Sequence, residues 1–172
     1  MTGLGTLHIL LVDDNANMRS IMAAMLKSVG VGRISEAENR NQAFELAHSH
    51  AIDIAIVDFR MEPVDGVALT RLLRDETISP HPYLPIIMMT GHSERSRVTE
   101  ARDAGVTEFV TKPVVISDLM KKIEAVILRP RAFVRTETFF GPDRRRTIML
   151  DYEGPFRRES DLQPSLATFN LS

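Results

Sequence analysis

The chain has 172 residues and a net charge of -2, with an isoelectric point near 6.2, which suits one core of ~100 to 150 residues and a small appendage. That charge excludes a global attraction to nucleic acid or anionic lipid, so any such contact would have to be local. Cysteine is absent, which excludes disulfides, thiolate metal sites and thiol catalysis and fits a reducing compartment.

The first apolar run, "LHILLV", is far shorter than the ~20 residues of a membrane span, and no basic segment precedes it. A soluble cytoplasmic protein without an export signal is expected. "HILLVDD" (8 to 14) reads as a strand buried on both faces. Met18, Ile21, Met22, Met25, Leu26 and Val29 then follow helical spacing up to the "VGVG" glycines, putting one apolar stripe on a helix. "RISEAE" (33 to 38) alternates as an edge strand does, and Asn39 with Gln42 three residues on caps a second helix to about Ser49. The "HSH" at 48 to 50 has no third ligand nearby and reads as a solvated helix end rather than a metal site. "IDIAIVD" (52 to 58) and "LPIIMMT" (84 to 90) are further buried strands, separated by a helix carrying Leu69, Leu72 and Leu73. A fourth helix is expected from about Ser93 to Ala104, then a short strand "EFVTK". A fifth helix follows, with Leu119, Met120, Ile123 and Ile127 behind a Ser117 cap. Five such β-α units predict an α/β fold, a doubly wound parallel sheet with helices on both faces.

In such sheets ligands gather beyond the carboxyl ends of the strands. Asp13 and Asp14 end the first strand, Asp58 the third, Thr90 the fourth and Lys112 the fifth, so all five should face one crevice. Three carboxylates there repel one another unless their pKa values rise or a cation joins them. Oxygen ligands without His or Cys favour magnesium, which usually shares a phosphate oxygen with the protein. A phosphoryl group on Asp58 would need a second positive neighbour, which Lys112 supplies, while the Thr90 hydroxyl can donate to a phosphoryl oxygen. Gly91 leaves space and a backbone N–H beside that oxygen.

"VDDN", "VDFRMEPVDG", "MMTG" and "FVTKP" stand in the order of the receiver domains of two-component response regulators, and the chain resembles that family over about residues 6 to 129. The resemblance implies a flavodoxin-like strand order 2-1-3-4-5 with five helices. It implies Asp58 as phosphoacceptor and Asp13 and Asp14 as holders of a magnesium ion, with the backbone carbonyl of Arg60 completing the protein ligands. Lys112 would pair with the phosphoryl group, Lys112-Pro113 would be a cis peptide, and Phe109 would be the aromatic that turns inward when Thr90 shifts. The donor would be a sensor histidine kinase or a histidine phosphotransfer protein. Output would run through contacts with a downstream protein or a second copy (a homodimer), without nucleic acid or membrane. Phosphoryl transfer would bias the fourth helix, fifth strand and fifth helix between two states.

The sequence departs from the family at Gly91, often alanine; at Phe109, which lacks the common tyrosine hydroxyl; and at Val114, where phenylalanine is frequent. Arg60 and His92 should flank the mouth of the site, and a cation and an imidazole so placed are expected to tune phosphoryl lifetime. A haloacid dehalogenase-type phosphohydrolase needs a second aspartate at position 60, and Arg60 cannot do that acid/base work. The remaining alternative is a pseudo-receiver, an interaction module not controlled by phosphorylation.

The extension, 130 to 172, carries seven arginines against six acids and four prolines. The prolines leave no stretch for a helix-turn-helix domain. "AFVRTETFF" and "RRTIMLDY" have strand character with "GPDR" as a turn between them, so a β-hairpin is one expectation and partial disorder the other. Exposed Phe133, Phe139, Phe140, Ile148, Met149 and Leu150 would be costly, so the hairpin should pack on the receiver, a second copy or a partner.

Overall fold

Along the first strand, Ile9 and Leu11 enter one apolar layer and Leu10 and Val12 the other, as the two-residue period of a strand requires when both faces are covered. The computed structural model describes residues 3–144. Its central sheet has five parallel strands in the order β2-β1-β3-β4-β5. The strands are β1 (His8–Val12), β2 (Arg33–Ala37), β3 (Ile54–Asp58), β4 (Ile86–Thr90) and β5 (Glu108–Thr111). The helices are α1 (Ala16–Ser28), α2 (Arg40–Ser49), α3 (Gly66–Arg74), α4 (Val98–Ala104) and α5 (Ile116–Leu128).

One layer joins Ile9, Leu11, Ile54, Ile56, Ile87, Met89 and Val110 of the sheet to Met22 and Leu26 of α1 and Leu119, Ile123 and Val126 of α5. The opposite layer sets Leu10, Val12, Ala55, Val57 and Ile86 against α2 and α3. A third cluster, around Phe59, Met88, Ala101 and Val106, seats α4 and has Phe109 packed against it. Among the described residues, no helix is long and apolar enough to cross a membrane.

The Asn39 cap forms as read: Gln42 N–H donates to Asn39 Oδ1 at 3.0 Å. Two helix starts differ. The fourth helical segment begins as a 3₁₀ helix, His92–Arg97, and only then becomes α4. There Glu94 N–H donates to the Gly91 carbonyl three residues back, and the Glu94 carboxylate accepts Gly91 N–H, which tightens the first turn. Helix α5 starts at Ile116, so Ser117 lies inside it rather than capping it. Asp118 and Leu119 N–H both donate to the Val115 carbonyl, which takes the capping position without a side chain.

Within the described part of the extension, 130–144, a hairpin forms, but with a different turn. β6 (Phe133–Arg135) pairs antiparallel with β7 (Phe140–Pro142); the connection is 136–139, and Thr136 N–H donates to Phe139 O at 2.8 Å. Gly141 and Pro142, read as turn residues, are in the second strand, and the predicted strand "RRTIMLDY" lies outside the described residues. The shorter hairpin wins because it brings Phe133 and Phe140 onto Tyr83, with ring centroids 4.9 and 5.4 Å from the tyrosine. Arg135 donates to Glu76 with its two terminal guanidinium nitrogens, at 2.6 and 2.5 Å. Arg131 meets Glu108 at 2.8 Å, and Arg144 pairs with Asp103. Truncation after Arg129 removes three half-buried phenylalanines, Phe133, Phe139 and Phe140. It is expected to lower stability by about 2 kcal/mol; an unchanged melting temperature would show the hairpin to be passive.

Candidate functional site

The carboxyl ends of β1 and β3 end side by side because the two strands pair in register, Val12 opposite Val57. Asp13 prolongs the β1 ladder, its N–H donating to the Ala37 carbonyl at 3.1 Å, and its side chain is sealed at 1% exposure. Asp58 is the last residue of β3 and 4% exposed; Asp14 faces solvent. One oxygen from each of Asp13, Asp14 and Asp58 fits within a span of 4.8 Å.

Asp13 Oδ1 accepts Asn15 N–H at 2.8 Å, and the Asp13 carbonyl accepts from Arg19 at 2.8 Å. Asp14 Oδ2 accepts Glu62 N–H at 3.1 Å, which ties the loop after β3 to the acidic corner. Asp13 Oδ2 is buried with no hydrogen-bond donor. Asp58 Oδ1 also lacks a well-directed hydrogen bond, yet the Lys112 ammonium lies 2.5 Å from it as an ion pair. Burial pushes the Asp13 carboxyl above the usual carboxylate range, opposed by the Asn15 N–H and the Lys112 charge. Burial likewise raises Asp58, against the pull of Lys112. A buried all-oxygen corner with an orphaned carboxylate oxygen fits a hard divalent cation.

Lys112 follows β5, and its N–H donates to the Thr90 carbonyl at 2.8 Å. The Lys112-Pro113 bond is cis, as is Glu62-Pro63. Thr90 closes β4 at 4% exposure, and Phe109 sits opposite Met88 on β5, half-buried, with the Arg102 guanidinium 5.9 Å from its ring centre. A cleft of about 370 Å³ runs from Thr90, Gly91 and His92 over Phe109 to Lys112. Gly66 serves the site from below: a Cβ there would sit 2.3 Å from the Asp58 carbonyl, so only glycine lets α3 start against the end of β3.

The side chain of Arg60 is 76% exposed and its Nε lies 3.9 Å from Glu94 Oε1; His92 is exposed at the start of the 3₁₀ turn. Glu94 escaped the sequence reading. It is 7% exposed and accepts from Gly91 N–H at 2.8 Å and Ser93 Oγ at 2.7 Å. The Ser93 hydroxyl, ahead of the Gly91 amide, holds its carboxyl below the usual range against the effect of burial. The signal was there: Gly91 with Glu94 three residues on is the acidic half of a capping box.

Comparison with known proteins gives a consistent picture. The model of the response regulator receiver domain matches residues 9–124. The chain is 34% identical over 124 residues to the chemotaxis protein CheY of Pseudomonas aeruginosa, covering 72% of this chain and 98% of that protein. It is also 34% identical over 130 residues to the transcriptional regulatory protein PdtaR of Mycobacterium tuberculosis, covering 76% of this chain and 61% of the relative. Among solved structures, a response regulator receiver protein from Pseudomonas putida is similar at 30% identity and a TM-score of 0.63, covering 69% of this chain and 95% of that one. The receiver domain of a sensor histidine kinase from P. aeruginosa, which has a magnesium ion coordinated in its active-site cleft, is similar at 27% identity and a TM-score of 0.61, covering 69% of this chain and 94% of that one.

Proposed function

The chain belongs to the response regulator receiver family, and on that premise we propose that it is a signalling module switched by a phosphoryl group on Asp58. The observation that carries this reading is the ion pair between Lys112 and a buried Asp58 beside Asp13 and Asp14. An Asp58 oxygen attacks the phosphorus of a phosphohistidine on a sensor histidine kinase or histidine phosphotransfer protein. The O–P bond forms as the N–P bond breaks, and the electron pair returns to the imidazole.

Asp13, Asp14, Asp58 and the Arg60 carbonyl would hold magnesium, which supplies charge neutralisation between the carboxylates and the transferring group. Lys112 meets the added negative charge, and the Thr90 hydroxyl and Gly91 N–H receive a phosphoryl oxygen. Thr90 and Phe109 then shift together, biasing the surface of α4, β5 and α5 toward a downstream protein or a second copy. Arg60 and His92 tune phosphoryl lifetime at the mouth. We place the receiver at 6–129 and the extension at 130–172. Output runs through protein contacts in the cytoplasm rather than DNA, since 130–144 forms a hairpin and the chain carries no net basic charge.

The test is intact mass after incubation with magnesium and acetyl phosphate, for wild type and Asp58→Ala. A gain of one phosphoryl mass confined to wild type is expected. Absence of any gain, also from a phosphohistidine donor, would favour the pseudo-receiver, an interaction module outside phosphorylation control.

A further inference from the structure

The Gly91 amide that the proposed function assigns to a phosphoryl oxygen already has a partner. Its N–H donates to Glu94 Oε2 at 2.8 Å, and the Glu94 side chain is 10% exposed. Ser93 donates to the other oxygen at 2.7 Å, and Arg60 approaches that same oxygen at 3.9 Å from the solvent side. The arrangement depends on glycine: a Cβ on Gly91 would lie 2.8 Å from Glu94 Oε2, closer than such atoms approach. Only the far end of a flexible side chain stands in the way, so alanine at 91 would fit by displacing the carboxylate.

We infer that Glu94 is a positioning residue that opposes the phosphorylated state by occupying the Gly91 N–H. The inference rests on the phosphoacceptor reading of Asp58. An N–H can give its full strength to one charged acceptor at a time, so a phosphoryl oxygen has to displace the carboxylate before the loop after β4 can close on it. Two negative groups sharing one donor also repel each other. Glu94 therefore sets a threshold for the switch, and Arg60 acts through Glu94 by holding its outer oxygen. Glycine after Thr90 and glutamate three residues later work as a pair.

The experiment uses the full chain with magnesium and beryllofluoride, an analogue of a phosphoryl group. Glu94→Ala and Gly91→Ala are each expected to tighten beryllofluoride binding by roughly tenfold, the scale of one charge-assisted hydrogen bond. The double variant should gain no more than either single one, because both changes free the same amide. Glu94→Gln keeps a neutral acceptor for Gly91 N–H but removes the charge, so it should fall between wild type and Glu94→Ala, and Arg60→Ala should move affinity in the direction of Glu94→Ala by less. Without any ligand, the Gly91 amide should exchange with solvent faster in Glu94→Ala than in wild type, a readout independent of binding. Beryllofluoride affinities unchanged by Glu94→Ala, or additive gains in the double variant, would overturn the inference while leaving Asp58 as the acceptor. A wild type that takes up neither beryllofluoride nor phosphate would overturn both.

Discussion

Replacing Arg74 by methionine is expected to cost about 3 kcal/mol of stability. Arg74 ends α3 and is 4% exposed, yet among the described residues its guanidinium meets no carboxylate. It donates to three carbonyls, Gly105 at 3.0 Å, Pro82 at 2.8 Å and Leu84 at 2.7 Å, and reaches Thr107 Oγ1 at 3.4 Å. The loops before β4 and before β5 are thus sewn to one side chain, and the ring of Phe133 lies 5.0 Å over its outer face. Burial pushes its pKa down to about 9, which still leaves a cation at neutral pH. Methionine would fill much of the volume but leave the carbonyls unpaired, at ~1 kcal/mol or more each, partly offset by relief of the cation's desolvation. For a chain of this size about 3 kcal/mol lowers the melting temperature by roughly 6 to 12 °C. An equal or higher melting temperature would mean that dehydrating the cation costs more than its hydrogen bonds return.

Asp13→Asn is expected to stabilise the metal-free chain by about 1 kcal/mol at neutral pH and to erase stabilisation by magnesium. Burial raises Asp13 and Asp58 above the usual carboxylate range, so the folded state holds these protons more tightly than the unfolded one. The sign follows: without metal, their contribution is most favourable in acid. It is lost as pH rises from the ordinary carboxylate value of about 4 through the raised folded values, and stays unfavourable at neutral pH. Asparagine keeps an oxygen for the Asn15 N–H that Asp13 Oδ1 now accepts while removing the charge. Magnesium is expected to reverse the sign in wild type, because a cation held by these carboxylates favours their ionised form and the folded corner. Thermal melts across pH, with and without magnesium, check both halves. Magnesium stabilisation that survives Asp13→Asn would remove Asp13 from the ligand set.

The buried strands and the gathering of Asp13, Asp14, Asp58 and Lys112 were legible because they follow from short-range patterns, whereas the strand order came only with the family resemblance. Continuous apolar runs make doubly buried strands, and parallel strands deliver their last residues to the same edge. The Asn39 cap was legible for the same reason, since its partner Gln42 is three residues away. Helix starts after β4 and before α5 were read less well, because at the first a carboxylate returns to the Gly91 N–H and at the second no side chain caps, whereas Asn15, Asn39 and Asp65 side chains cap α1, α2 and α3.

By itself the sequence determined the alternation of strands and helices and the chemistry at the strand ends, because both are written in residue type and local period. Only the tertiary structure decided three other features. One is the burial of Glu94 against Gly91, which fills a space that two loops define. Another is the burial of Arg74 among carbonyls, the Gly105 carbonyl being 31 residues away. The last is the turn at 136–139, set when Phe133 and Phe140 meet Tyr83. For Arg74 and the hairpin a group found its partner across the fold, and the energy of that pairing appears only once the intervening chain has been brought together; Glu94 pairs with Gly91 three residues away, and only the depth of its burial needed the fold.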